Sequence, residues 1–591
     1  MSKPSKIEII RHSLAHILAT AVLDMFPETK FGIGPAIENG FYYDFDLPRT
    51  LIPEDLEILE EKMRDIIKTN HRFEKAKIPI TDALKNFKKA KQPYKIELIK
   101  DIAKEDTRPL RVAKRVGREK TKTVSVFRTD NFVDLCSGPH IDSTGEINTK
   151  AFKLTKISGA YWKGDEKNKM LQRIYGVVFA SEKELKKYLA AMEEAEKRDH
   201  KKIGRELDLF SFHPESPGSA FWHPKGMTIW NEMENFGKSL RKSFRFQEIQ
   251  TPILAKNTLW KTSGHWEHYK DAMFYFDIEK ETFCLKPMDC PFNVLIYQEQ
   301  IRSYRDLPIR YTEIGRIMRN EKSGELNGLF RVRYLTQDDS HIFCLPEQVE
   351  SEIAILLKMT KKYYPAFGIV PKFFLSTRPD NFMGKKSEWD RAEKNLSNAL
   401  SKEKIKFEIK EKDGAFYGPK IDIDIKDALG RKWQLATIQL DFQMPQRFKL
   451  EYIDKSGKKK PLAMIHAAIF GSFERFIGIL TEHFAGGFPL WLSPVQVEVI
   501  PVSEKFEKYA KEVLKKLTDS NIRVAMNDAD ESLGKRIRNA QNQKVNYMLI
   551  VGEKEMKSKS VAVRDRGKGD LGAMKIEKFL DKIEKEIAEK K

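Results

Sequence analysis

Cysteine is scarce in this chain of 591 residues: Cys136, Cys284, Cys290 and Cys344 are the only four, and no CxxC pair occurs among them. A dense disulfide framework is therefore excluded, and a reducing cytoplasm is the compartment that fits. Long apolar runs are also missing, so no stretch is long enough to span a bilayer. The early apolar run is broken by Arg11, His12 and His16 and ends in Asp24, which is not the pattern of a signal peptide. Low-complexity tracts and repeats of solenoid period are absent as well.

What is present in excess is positive charge. Lys and Arg number 106 against 86 Asp and Glu, a formal balance of 106 − 86 = +20. A balance of that sign points to a polyanionic partner, most simply nucleic acid. The length suits about three to five domains, at roughly 100–200 residues each.

Residues 7–26 read as an amphipathic helix ending before Pro27, with His12 and His16 one turn apart on a shared face. A Gly, Pro and aromatic loop, GIGPAIENGFYYDFD, follows and suits the rim of a pocket. Charged helical patterns cover 53–69 and 81–90, and 124–136 reads as strand, turn, strand. That last run delivers a second pair four residues apart, Cys136 and His140. Two such pairs in one segment make either a metal site or a general-base cluster for hydrolysis. Residues 181–206 read as one linker helix, opened by a Ser181/Glu184 capping box.

The most informative stretch is 312–343. Phe330, Val332 and Tyr334 alternate with Arg331 and Arg333, so the sequence predicts a strand with an apolar face and a guanidinium face. Arg319 and Glu321 precede a turn-rich loop containing Gly324 and Gly328, completing a β-hairpin with fixed charges. Neighbouring guanidinium groups repel unless anions visit, and phosphate is the anion they grip best. Further on, 415–425 reads as loop then strand, 433–442 as a strand, and 471–480 as a buried helix with one arginine, Arg475. That charge needs a partner: Glu474, another acid, or a phosphate. After Pro494, short β-rich runs alternate with helical patterns at 504–518 and 532–543 and a closing helix at 575–589, the rhythm of an α/β sandwich.

RNEKSGELNGLFRVR, TQDDSHIFC, YGPKID and GSFERFIGIL, standing in that order, resemble the class II aminoacyl-tRNA synthetases, and among them the threonyl enzymes. The resemblance implies an α+β multidomain chain. Its parts would be an N-terminal α+β editing domain (1–180), a linker (181–206), an antiparallel-sheet class II catalytic core (207–493) and a C-terminal α/β anticodon-binding domain (494–591). It implies ligation of L-threonine to tRNA(Thr) through threonyl-adenylate, with hydrolysis of mischarged seryl-tRNA(Thr). Carried residue by residue, Arg319, Arg331 and Arg475 would be catalytic and hold ATP together with Glu321 and Gln439. Gln337, Asp339, Tyr417 and Lys420 would hold the substrate, and Cys290, His341 and His466 one Zn²⁺ per chain. Mg²⁺ would arrive with ATP. His12, His16, Lys95, Asp134, Cys136 and His140 would form the editing site, and Glu555 and Arg564 would contact the anticodon. Pro252 falls at the motif that builds a homodimer interface in the catalytic domain. Two departures stand out. Many relatives carry a further small N-terminal domain, and Ala529 stands where relatives commonly have arginine.

Overall fold

The computed structural model describes residues 4–105 and 122–590. They form two compact units, Met1–Glu193 and Glu194–Lys591.

In the first unit the opening helix, Lys6–Met25, is started by Ser5, whose backbone N–H donates to Glu8 at 2.6 Å. The sequence predicts one buried face. In the structure every residue from Ser13 to Val22 is buried. Helix Pro53–Lys68 covers one side, while strands Gly40–Asp46 and Phe132–Leu135 cover others, so the helix is the centre of the core and not its lid. The main sheet runs Lys30–Phe31, Gly40–Asp46, Met170–Val178, Phe152–Tyr161. A second sheet pairs Glu74–Pro79, Thr123–Thr129 and Phe132–Leu135, and Cys136 follows directly.

The connector is two helices and not one: Glu182–Lys197 and His200–Glu206. Asp199 restarts the chain as an N-cap, accepting from the N–H of Lys201 at 2.7 Å and of Lys202 at 3.3 Å. An aspartate there satisfies orphan donors of a new helix and so favours the break. At the first helix, Ser181 Oγ accepts from Glu184 N–H, but the Glu184 carboxylate accepts from the N–H of Ala180 and not from that of Ser181.

The second unit is built on an eight-stranded sheet ordered Gln247–Glu248, Ile309–Met318, Tyr334–Cys344, Ala463–Ser472, Lys432–Asp441, Lys420–Lys426, Lys372–Ser376, Phe407–Lys410. The interior pairs are antiparallel, and only the two edge pairs are parallel. Side chains alternate between faces. Ile342, Cys344, Ile465, Ala467, Ile469, Ile421, Ile423 and Ile438 belong to the core shared with helices Val349–Tyr363, Lys386–Lys402 and Phe473–His483. The opposite face carries Asp339, His341, His466 and Gln439.

The hairpin forms, with arms Ile309–Met318 and Tyr334–Cys344. The segment expected to be its second strand is not one. Asn327 and Arg331 make an isolated bridge, Gly328 turns the chain at φ +49°, and Arg333 N–H donates to Gly218 O at 2.7 Å. A contact from outside the hairpin captures the donor that a ladder would need. Val332 still packs inward with Ile317 and Leu335, which is why the alternation reads as a strand.

At the core face of the hairpin, Asp338 is fully buried and paired with Arg241 of helix Pro224–Ser243. It also accepts from the N–H groups of Ile469 at 3.0 Å and Gly471 at 2.9 Å, pinning the bulge that lies between Gln337 and Asp339 in the pairing with Ala463–Ser472. Burial, partly offset by Arg241, still pushes the Asp338 carboxyl up to about 6.

The last part of the unit is a sheet ordered Val524–Met526, Val497–Pro501, Tyr547–Val551, Ser560–Asp565, Gly569–Lys575. Helices Glu507–Asp519 and Ile576–Ala588 share its core. The final strand is not predicted from sequence, because GDLGAMK carries two glycines at positive φ and no apolar alternation. Among the described residues, no helix is long and apolar enough to cross a membrane.

Replacing Arg241 by methionine leaves Asp338 as a buried carboxylate without its cation. The variant should lose about 3–5 kcal/mol, read from the urea midpoint of the second unit. A shift below about 1 kcal/mol would mean the backbone donors of Ile469, Phe470 and Gly471 suffice alone.

Candidate functional site

Register assembles the first site. Lys420 lies opposite Gln439, Gln439 opposite His466, and His466 opposite His341. Directly paired residues of antiparallel strands share a face, so these four side chains form one row across four strands. The next row brings Asp422, Thr437, Ala468, Asp339 and Glu313 into line. Cys290 enters from the start of helix Cys290–Gln298, where Pro291 suits the first turn.

One donor atom each from Cys290, His341 and His466 lies within 4.8 Å of the others. The two imidazoles stand edge to face, centroids 4.9 Å apart. Asp441 Oδ2 lies 3.0 Å from His466 Nε2 and fixes that ring. His466 Nδ1 and both ring nitrogens of His341 are buried without a hydrogen-bond partner. Unpaired buried nitrogens are costly, and one thiolate with two imidazoles is a donor set that suits Zn²⁺, so the residues fit that ion. A carboxylate behind a ligating imidazole is the usual supporting arrangement. Burial pushes the Cys290 thiol up and the His341 imidazole down.

Around this triad, Tyr417 donates to Gln439 Oε1 at 2.6 Å, and its ring stands 6.1 Å from that of His466. Lys420 Nζ is 2.9 Å from Asp422. Burial raises the Asp339 carboxyl to about 7, with His466 opposing. Gln337 lies on the same face two residues before Asp339. Beneath them sits a cluster that sequence reasoning missed. Lys286 Nζ reaches Asp289 at 2.6 Å, Glu313 at 2.9 Å and Thr251 at 2.8 Å. Gly315 makes room for it: a Cβ there would stand 1.9 Å from Asp289 Oδ2.

The guanidinium groups lie beside the hairpin loop. Arg319 joins the loop's base, its N–H donating to Arg333 O at 2.8 Å while Nε reaches Pro287 O at 3.3 Å. Arg331 is held by Glu321 at 2.8 Å and Glu325 at 2.7 Å. Arg475 has no carboxylate partner among the described residues. The acid expected from sequence, Glu474, instead accepts from Thr336 N–H and from Ser472 Oγ. The Arg475 Nε is buried and unpartnered, and its guanidinium lies 5.5 Å over the Trp433 ring. Burial lowers its pKa, and Arg331 lowers it further. This cation is poised for an anion the chain itself does not supply.

The second site lies in the first unit. His12, His16, Cys136 and His140 bring one donor atom each within 4.8 Å. Cys136 Sγ stands 3.3 Å from His12 Nε2 and 3.3 Å from His140 Nε2. Pro139 O lies 3.1 Å from His12 Nδ1, and Ser13 Oγ lies 3.1 Å from His140 Nδ1. Behind them Lys95 and Asp134 form a buried ion pair, and Tyr43 donates to Asp134 at 2.6 Å. Burial depresses all three imidazoles and raises the Cys136 thiol to about 11. Every residue expected at this site is therefore gathered here. Tyr43 and Ser13 are additions that only three dimensions reveal.

Glu555 and Arg564 are less telling. Glu555 caps its own helix by accepting from Gly552 N–H at 3.0 Å, and Arg564 lies on strand Ser560–Asp565 opposite Met548. A cavity of about 410 Å³ opens nearby, lined by Lys508, Tyr509, Met556 and Lys559.

The "tRNA synthetase class II core domain (G, H, P, S and T)" family matches residues 274–484. An anticodon binding domain matches 496–586, and the "Threonyl and Alanyl tRNA synthetase second additional domain" matches 124–175. The threonine–tRNA ligase of Caldanaerobacter subterraneus subsp. tengcongensis is 50% identical over 583 residues, 99% of this chain and 88% of that one. That of Acetivibrio thermocellus is 49% identical over 580 residues, 98% and 88%. Among solved structures, the RNA binding domain of threonyl-tRNA synthetase from Cryptosporidium parvum Iowa II is 41% identical, TM-score 0.63, covering 66% of this chain and 98% of that one. A threonyl-tRNA synthetase of Aeropyrum pernix is 28% identical, TM-score 0.59, covering 66% and 97%. With half its residues shared along almost its whole length, and with core, anticodon-binding and editing domains all matched, the chain belongs to the threonine–tRNA ligases of synthetase class II.

Proposed function

We propose that the second unit activates L-threonine with ATP and passes it to the 3′ end of tRNA(Thr), and that the first unit hydrolyses seryl-tRNA(Thr). The observation carrying this reading is the unpartnered donor set of Cys290, His341 and His466, with Gln337, Asp339 and Tyr417 in the same unit and Arg475 unpaired. The proposed boundaries are 1–180 for editing, 181–206 for the linker, 207–493 for catalysis and 494–591 for the anticodon, with pairing of two catalytic domains at the segment containing Pro252. Four free cysteines suit a reducing cytoplasm.

In the activation step a threonine carboxylate oxygen bonds to the α-phosphorus, the bond to the β-phosphate bridging oxygen breaks, and pyrophosphate leaves. Arg319 grips the α-phosphate, Glu321 receives the adenine amino group, and Arg331 and Arg475 neutralise the β- and γ-phosphates; Mg²⁺ comes with ATP. Glu321 and Glu325 hold Arg331 until the nucleotide takes it over. Fixed cations positioned before the reaction need no reorganisation as charge develops. Cys290, His341 and His466 would hold Zn²⁺, which supplies an electron-pair acceptor for the amino and hydroxyl groups of threonine. Valine, lacking the hydroxyl, leaves that polar site unpaired and is rejected strongly.

Serine lacks only a methyl group, worth about 1–3 kcal/mol or roughly 10–200-fold, so a second site is needed. Burial keeps His12, His16 and His140 uncharged and weakens them as bases, least at His12, which is the one best able to take a proton from water, while Lys95 and Asp134 fix the wall. Cys136 serves as a neutral hydrogen-bonding thiol and not as a nucleophile, because its thiolate is scarce at neutral pH.

Purified protein should exchange ATP with pyrophosphate when given threonine, weakly with serine and not with valine, and carry about one zinc per chain. Cys290→Ser should lower the metal content and raise the threonine KM; absence of exchange from folded, zinc-loaded protein would sink the catalytic reading. His12→Ala with His16→Ala should cut seryl-tRNA(Thr) hydrolysis by about 100-fold or more, within the 10²–10⁴ that a positioned base contributes. Wild-type hydrolysis by that variant would remove the cluster from the mechanism. Because the Cys136 thiol is raised from 9.0 to about 11, its alkylation by iodoacetamide at pH 8 should be about 100-fold slower than for an unperturbed thiol and climb until pH passes 11. Rapid alkylation at pH 8 would restore Cys136 as a nucleophile.

A further inference from the structure

His200 belongs to neither cluster and yet is buried and doubly engaged. It opens helix His200–Glu206, the first element wholly inside the second unit. Its Nδ1 stands 2.7 Å from Glu482 Oε1, at the end of the helix that carries Arg475. Its Nε2 accepts from the backbone N–H of Leu329, in the hairpin loop, at 3.0 Å. A donor on Nε2 fixes the tautomer: the proton is on Nδ1 and is donated to Glu482.

Further contacts point the same way. Gly328 approaches so closely, at φ +49°, that a Cβ there would stand 2.2 Å from His200 Nε2. The His200 ring packs on Phe330, centroids 4.1 Å apart, and Phe330 packs on Trp433 at 4.6 Å. Trp433 in turn lies under the Arg475 guanidinium. Meanwhile Arg431 pairs with Glu482 and lies over Phe330, and Arg198 donates to His483 O at 3.0 Å. The loop bearing Arg331 and the helix bearing Arg475 are therefore tied to one imidazole.

We propose that His200 is a positioning residue for the nucleotide: it sets the spacing between Arg331 and Arg475 by holding the Leu329 amide with one nitrogen and Glu482 with the other. The imidazole touches no substrate. It acts through Leu329, Phe330 and Trp433 on the two guanidinium groups that receive the phosphates. The proposal rests on the ATP-binding reading of that loop.

Two variants separate the nitrogens. In His200→Asn the amide N–H can replace Nδ1 toward Glu482, but no acceptor reaches Leu329. In His200→Gln the side-chain oxygen can replace Nε2 and accept from Leu329, while Glu482 stays held by the backbone N–H of residue 200, at 3.1 Å, and by Arg431. With full-length protein in threonine-dependent exchange, His200→Asn should raise the ATP KM about tenfold while the threonine KM stays within about twofold, and His200→Gln should restore the ATP KM to within about threefold. Hydrogen exchange supplies a readout independent of activity: the Leu329 amide should lose protection in the Asn variant and keep it in the Gln variant. An ATP KM unchanged in His200→Asn would overturn the proposal, as would equal rises in both KM values for both variants. Wild-type protein lacking threonine-dependent exchange would fail the ATP reading instead, and the Leu329 amide would still report on the contact.

Discussion

The pairing of His341 with His466 decides what the catalytic unit can be. A shift of strand Ala463–Ser472 by one residue against its neighbour would turn His466 into the helical core and bring Ile465 to the polar face. Every donor on that face descends from the same registration, from Lys420 and Gln439 on one side to Glu313 on the other. Hydrophobic burial of Ile342 and Ile465 favours it strongly, since each such buried side chain is worth about 1.5–3 kcal/mol, and Ala467 adds less. Asp338 adds specificity at the one place where the ladder is irregular, because its bonds to Ile469 and Gly471 select the bulge.

Electrostatic strain is distributed with equal economy. Along the hairpin the unit buries carboxylates at Asp289, Glu313 and Asp338, and two buried cations answer them, Lys286 and Arg241. The guanidinium groups of the hairpin side are left partly unanswered. An anion arriving at Arg475 meets a partly buried cation whose Nε has left solvent without gaining a partner, and such a cation binds more strongly than a fully hydrated one.

Much of this was legible from the chain alone, and the reasons differ by element. The strand within 415–425 declares itself through isoleucines alternating with aspartates. The His12/His16 and Cys136/His140 pairs stand out because helical and turn spacings place partners four residues apart. The strand expected around Arg331 failed because alternation records which side chains point inward, and a bridged loop can do that as well as a ladder. The linker looked continuous because Arg198-Asp199 interrupts no apolar stripe; its break depends on capping. Cys290, His341 and His466 are 176 residues apart from first to last, so no local pattern joins them, and only the family resemblance did. Asp441, Tyr43, Ser13 and the Lys286 cluster carry no sequence signal, since their meaning comes from what the fold sets beside them.

Strand Ala463–Ser472 sits in the middle of the eight-stranded sheet, between Tyr334–Cys344 and Lys432–Asp441, yet it is the last of the eight to be made. Until it leaves the ribosome, both neighbours present open, apolar hydrogen-bonding edges, the kind of surface that pairs with other chains. The first unit also closes its main sheet with an interior strand, Met170–Val178, but that strand is made before the second unit begins. Synthesis of this protein therefore passes through a long interval in which one half can already be native while the other waits on a single strand, and that interval is where chaperones would be needed most.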